Sequence, residues 1–168
     1  ANTFSYFKNQ GVDIKVISGD DPVTVSTIAK NAAILNADKY IDMSTVKDSD
    51  DYQQIVNQNT VFGRVTPDQK KRLIIALQEQ KHTVAMTGDG VNDLLALRQA
   101  DCGIAMASGS ESTKSIADFV LIDSNFDAMI GVLNEGRRGI NNIARVASLY
   151  LMKTMHSVCC LYTSYVAD

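Results

Sequence analysis

Two carboxylates four residues apart on a glycine-rich turn carry the strongest chemistry in this chain: Thr87-Gly88-Asp89-Gly90-Val91-Asn92-Asp93. If the turn leaves a strand, Asp89 and Asp93 can face one point. Hard oxygen ligands on a rigid turn suit octahedral Mg²⁺, which takes few protein carboxylates and keeps its waters. Gly88 and Gly90 let the backbone bend closely around a phosphate or a metal. Asn92 can donate an amide hydrogen to a phosphoryl oxygen, and Asp93 can also cap the following helix. The plainer alternative is an Asx-rich turn with Asp93 as an N-cap. That would suffice for an isolated Gly-Asp-Gly; the seven-residue string argues for more.

Two weaker signals share the same chemistry. Ser18-Gly19-Asp20 offers a hydroxyl and exposed backbone N–H groups that can hold a phosphoryl group, although a plain turn explains the triplet equally well. Lys70 lies one helical turn past Pro67, where an ammonium can neutralise charge on a transferring phosphoryl group. Taken alone, among Lys70, Lys71 and Arg72, it reads as a surface lysine.

The elements that must position these residues follow from punctuation. The only two prolines, Pro22 and Pro67, stand behind Asp21 and Thr66, a pattern of N-cap followed by proline at the first helical position. Short β-branched runs precede the chemical turns: 14–17 (IKVI), 61–65 (VFGRV), 82–86, 102–106 and 119–122. Helical segments are expected at 67–80 and 92–99, and DSDD at 48–51 reads as a solvated helix start. Strands alternating with helices predict a three-layer α/β fold with a parallel, Rossmann-like sheet. Ligands then bind outside the carboxyl ends of the strands, where these turns fall. From about residue 128 the strand signal stops and a long helical stretch follows. The expected organisation is therefore 1–127 as the sheet domain and 128–168 as a C-terminal helix.

Composition narrows the partners. Apolar residues make up 45% and charged residues 21% of the 168, with a net charge of −3. No basic field or motif points to nucleic acid. Three cysteines, two of them adjacent, suggest reduced thiols rather than a disulfide or zinc framework. The opening ANTFSYFKNQ lacks the basic and apolar regions of a signal peptide. The tail is interrupted by Lys153 and His156, so a truncated membrane segment and an amphipathic terminal helix both remain open.

Serine at a strand end, lysine at a helix start and then a paired-carboxylate loop is the order found in haloacid dehalogenase-like phosphotransferases. Within them, VFGRVTPDQKKRLI, MTGDGVNDLLALRQADCGIAM and DSNFDAMIGVLNEGRRGINN closely resemble P-type cation-transporting ATPases, over about residues 11–144. The resemblance implies roles. Ser18, Gly19 and Asp20 match the family's TGD motif with Ser replacing Thr, and Arg64 matches an arginine that helps hold ATP. Lys70 matches the lysine that contacts the transferred phosphoryl group. Asp89 matches the Mg²⁺-binding carboxylate, with Asn92 and Asp93 in support. Glu135, Gly136 and Arg137 match the segment leading into the stalk of a transmembrane helix. A calcium-pump-like branch fits the overall look better than a heavy-metal branch.

The resemblance also implies what to look for and not find. These pumps form an aspartyl-phosphate at D-K-T-G-T, and that string does not occur in the 168 residues. Asp123, at the end of an apolar run, lacks the downstream pattern and reads as a connector. The expectation is a piece of a pump, inactive alone. It would lie at the cytoplasmic face of a membrane and be completed by the pump's nucleophile strand, nucleotide-binding domain and transmembrane helices. That central strand would lie between the strands ending at Ser18 and Thr87. Without it the sheet must carry a gap, close up or borrow a strand, and rearrangement or a strand-exchanged oligomer is expected. The alternatives are a soluble phosphatase of the same superfamily and a stand-alone metal-binding or regulatory relic.

Overall fold

Helices and short strands alternate through the computed structural model, which describes residues 2–47, 49–122 and 125–166. The order is α1 (Asn2–Asn9), β1 (Val16–Ile17), α2 (Pro22–Asn31), β2 (Tyr40–Asp42), α3 (Tyr52–Gln58), β3 (Val61–Gly63), α4 (Pro67–Glu79) and β4 (Ala85–Gly88). It continues with α5 (Leu94–Gln99), β5 (Cys102–Met106), α6 (Glu111–Ile116), β6 (Phe119–Leu121) and α7 (Ala128–Val166). By contacts the chain divides into two units, 1–126 and 127–168.

The helix starts are built as their sequence signals require. The Asp21 carboxylate accepts the N–H groups of Val23 and Thr24 ahead of Pro22. Ahead of Pro67 a capping box closes: the Gln69 N–H donates to Thr66 Oγ1, and Gln69 Oε1 accepts the Thr66 N–H. Each such cap satisfies orphan donors and contributes about 1 kcal/mol. Asp51 caps α3 in the same way; the rest of the DSDD expectation touches Asp48, which lies outside the described residues, as does Asp123.

Strand boundaries move by a few residues, for physical reasons. The run at 82–86 becomes a strand only at Ala85, because Lys81 (φ +67°) and His82 still close the end of α4, with the His82 N–H on the Leu77 carbonyl. The run at 61–65 stops at Gly63 because Arg64, at φ +53°, turns the chain away. The strand Tyr40–Asp42 had no sequence signal beyond three residues. Residues 92–99 split into a 3₁₀ turn, Val91–Asp93, and α5.

All strand pairs are parallel, but they form two sheets of three, ordered β1-β3-β2 and β4-β5-β6. β1 and β4, the strands ending near Ser18 and Gly88, are each a terminal strand of their own sheet. The parallel α/β fold is as expected, and of the outcomes anticipated for a sheet without its central strand the one found is a gap: β1 and β4 do not pair with each other among the described residues, so the expected rearrangement is not seen.

One helix serves both halves. Leu73 and Ala76 of α4 sit in a core with Met43, Val56, Phe62 and Val65. The neighbouring Ile74 sits in a second core with Val84, Met86, Ala96 and Leu97. Consecutive residues on a helix point about 100° apart, so a single turn presents two faces to two cores. Burial of each of these large aliphatic side chains stabilises by roughly 1.5–3 kcal/mol. A third cluster, Val25, Ala29, Ala37 and Val61, seats α2 against β3.

The second unit is the 39-residue helix α7, about 58 Å long at 1.5 Å per residue. Ile143, Leu149, Tyr150 and Leu151 are exposed along it. No described helix is long and apolar enough to cross a membrane.

The glycine with the least room for a side chain lies where β3 ends. A Cβ on Gly63 would stand 2.4 Å from the Pro22 Cα, a backbone atom that cannot yield cheaply. Gly63→Ala should destabilise by about 2–3 kcal/mol in urea unfolding, against about 1 kcal/mol for Thr66→Ala, which removes only a cap.

Candidate functional site

The loop after β4 does not deploy its two carboxylates alike. Asp93 is buried, and its Oδ1 accepts a charge-assisted hydrogen bond from Lys70 Nζ at 2.6 Å. Its Oδ2 faces the Gly90 N–H at 3.4 Å. No side-chain bond caps α5, so the capping role allowed by the sequence is not the one it takes. Lys70 is buried too, at 8% exposure, and so is not the surface lysine its neighbourhood suggested; Lys71 and Arg72 are half-buried. Desolvating both charges costs several kcal/mol, which their short contact offsets only while both partners are present.

Gly88 is what lets this pair form. A Cβ there would lie 2.7 Å from Asp93 Cβ and 2.9 Å from its Oδ2. Gly90 has ordinary extended backbone (φ −101°), and a Cβ would meet Asp93 Oδ2 at an unstrained 3.7 Å. The expectation of two bending glycines therefore holds for close approach at one of them.

Asp89 is exposed, and its carboxylate has no hydrogen-bond partner among the described residues. Its carbonyl is held by the Ser110 N–H at 2.9 Å. Asn92 is exposed on the 3₁₀ turn between the two aspartates.

The second group gathers at the end of β1. Ser18 Oγ donates to Asp20 Oδ2 at 2.9 Å and accepts the Asp20 N–H at 3.2 Å, while Gly19 is exposed at the tip. The Arg64 turn is stitched to this loop by its own N–H on the Asp20 carbonyl and by the Val65 N–H on the Ser18 carbonyl. The Arg64 guanidinium bridges Asp21 at 2.8 Å and Asp42 at 2.7 Å. The Asp42 carboxyl is held below its usual range, first by the Ser44 hydroxyl and N–H and then by Arg64. Asp42 had no sequence signal, since its partner is 22 positions away.

The structure thus brings together Lys70, Asp93 and Gly90 in one group, and Ser18, Asp20 and Arg64 in another. Val65, bonded to Ser18, is five positions before Lys70, bonded to Asp93, so the start of α4 joins the two. A cleft of about 270 Å³ beside Tyr52, Arg72 and Glu79 contains none of these residues.

The donor set suits part of a magnesium site. Mg²⁺ takes one or two carboxylates plus waters and phosphate oxygens. Asp89 is the one unengaged carboxylate of the loop, whereas Asp93 is already bound by an ammonium. The described residues contain no group of three His, Cys, Asp or Glu side chains able to enclose a metal. Remaining ligands would come from water and a phosphoryl group.

The ion pair yields a prediction. Lys70→Met leaves the Asp93 charge buried alone and should destabilise by about 3–5 kcal/mol. Pairing it with Asp93→Leu should recover most of that loss, as a double-mutant cycle in urea would read.

Comparisons with known proteins bear on the family. Residues 1–101 match the haloacid dehalogenase-like hydrolase family. The chain is 48% identical over 157 residues to the "Probable cation-transporting ATPase exp7" of Streptococcus pneumoniae serotype 4, covering 94% of the chain and 20% of that protein. It is 45% identical over 157 residues to the "Calcium-transporting ATPase CtpE" of Mycolicibacterium smegmatis, with the same coverage. The chain therefore spans about a fifth of the length of these relatives. Among solved structures, the catalytic domain of the CPx-ATPase CopB-B superposes with a TM-score of 0.59 at 28% identity, over 76% of the chain and 41% of that domain. A zinc-transporting PIB-type ATPase superposes with a TM-score of 0.67 at 23% identity, over 86% of the chain and 20% of its own, a likeness of fold. The chain belongs to the haloacid dehalogenase-like hydrolase family, and the relatives it resembles over nearly its whole length are cation-transporting ATPases.

Proposed function

We propose that this chain is the magnesium- and phosphoryl-handling part of the phosphorylation domain of an ATP-driven cation pump, with calcium as the favoured cargo. The observation that carries the reading is the division of labour in the Asp89–Asp93 loop: one buried carboxylate engaged by Lys70, one exposed carboxylate without a partner among the described residues. Asp89 ligates Mg²⁺, and Asp93 holds the Lys70 ammonium in place while the ammonium faces the phosphoryl group. When bound, the cation supplies charge that offsets the build-up on the transferring phosphoryl oxygens. Ser18 and Gly19 cradle that group with a hydroxyl and backbone N–H groups, and Asn92 adds an amide donor. Arg64 assists with ATP once it exchanges a carboxylate partner for the nucleotide.

The nucleophilic aspartate belongs to the rest of the same pump. It enters on a strand for which the open edges of β1 and β4 are the receiving sites. The nucleotide-binding domain and the transmembrane helices are the other partners, and α7, with its exposed apolar residues, is the stalk and the approach to a membrane whose cytoplasmic side carries this domain. At high concentration a second copy of the chain can fill the same edges by strand exchange.

Titration with Mg²⁺ followed through backbone amide shifts should show weak binding at Asp89 and Gly90, weakened at least about tenfold by Asp89→Asn. The isolated chain should release no phosphate from ATP or an aryl phosphate. Phosphate release that survives Asp89→Asn would overturn the assignment.

A further inference from the structure

The Asp89 carboxylate projects from a backbone flanked by glycines; the loop itself holds Gly90 through Asp93, but the Asp89 carbonyl is held from outside the loop. That outside support comes from the turn after the neighbouring parallel strand. β5 ends at Met106, the Gly109 N–H returns to the Met106 carbonyl, and Ser110 opens α6 as its N-cap. From this turn the Ser110 N–H donates to the Asp89 carbonyl at 2.9 Å, and Thr113 Oγ1 donates to the Gly90 carbonyl at 3.2 Å.

The hydroxyls close on themselves. The Thr113 N–H donates to Ser110 Oγ at 3.1 Å, and the two hydroxyl oxygens are 2.6 Å apart. With the Thr113 proton committed to the Gly90 carbonyl, the Ser110 hydroxyl proton must point to Thr113 Oγ1, and one proton order satisfies the whole network. Thr113 is fully buried. Gly109 completes the contact: a Cβ there would stand 2.7 Å from the Asp89 carbonyl oxygen and 3.0 Å from its Cα. A simple N-cap needs the Ser110 hydroxyl and the Thr113 N–H; it needs neither the bond to Gly90 nor a glycine pressed on Asp89.

We infer that Gly109, Ser110 and Thr113 are positioning residues that grip the Asp89–Gly90 backbone and so fix where the Asp89 carboxylate meets its cation. This rests on Asp89 being the magnesium ligand. Partners that hold a ligating carboxylate in place are typically worth 10–100-fold in metal affinity.

The test uses the full chain with Thr113→Val, Thr113→Ser and Gly109→Ala, three readouts being taken for each. These are Mg²⁺ affinity from amide shifts, hydrogen exchange of the Ser110 amide without Mg²⁺, and melting temperature. Thr113→Val should weaken Mg²⁺ roughly tenfold and speed Ser110 exchange by a similar factor, whereas Thr113→Ser keeps both within about threefold. Gly109→Ala keeps every hydroxyl and should still weaken Mg²⁺ roughly tenfold; it carries the test if Thr113→Val fails to fold. Wild-type affinity in folded Thr113→Val and Gly109→Ala, with only the melting temperature lowered, would overturn the inference. Asp89→Asn separates the layers. If it leaves Mg²⁺ binding intact, the ligand assignment falls, and unchanged Ser110 exchange in Thr113→Val removes the clamp independently.

Discussion

A buried ion pair at the start of α4 is the constraint on which the rest of the architecture turns. Lys70 and Asp93 come from different elements and different halves of the first unit, yet they meet at 2.6 Å with little exposure. Such pairs add little net stability, because desolvation consumes most of the attraction. What the contact does is fix position. It anchors the first turn of α4 to the 3₁₀ turn behind β4, while Val65, just upstream, is bonded to the Ser18 loop. Two strand ends are thereby registered against each other although their sheets share no strand pairing among the described residues.

The same helix explains how the fold tolerates a divided sheet. Adjacent residues Leu73 and Ile74 serve separate cores, and Leu77 touches both. Each half can thus bury apolar surface without direct pairing of β1 to β4. The consequence is two open edges beside the chemical loops, where backbone groups await a partner. The chain spans about a fifth of the length of the relatives it matches.

Legibility differed by the range of the forces involved. The starts of α2 and α4 were readable because caps and proline act within four residues. Strand β5 was readable to the residue, since 102–106 is apolar and bounded by turn residues. β4 was displaced because the end of α4 used Lys81 and His82 first, a competition that local strand propensity does not register. Strand Tyr40–Asp42 was missed because three residues show no period. At the site, the loop Asp89–Asp93 stood out from its own residues, whereas Ser110 and Thr113 gave no local signal, because the backbone they hold lies more than 20 positions away.

The sequence by itself determined the residue types, the parallel α/β alternation and the loops that bear the chemistry, because these depend on neighbours a few positions apart. Only the tertiary structure decided that Asp93 belongs to Lys70 and that the Asp89 carboxylate has no partner among the described residues. It likewise decided that Arg64 lies between Asp21 and Asp42, and that the sheet parts between β1 and β4. Those outcomes join residues more than 20 positions apart, where the choice of partner is made by packing and desolvation over the whole domain. No local pattern encodes that choice.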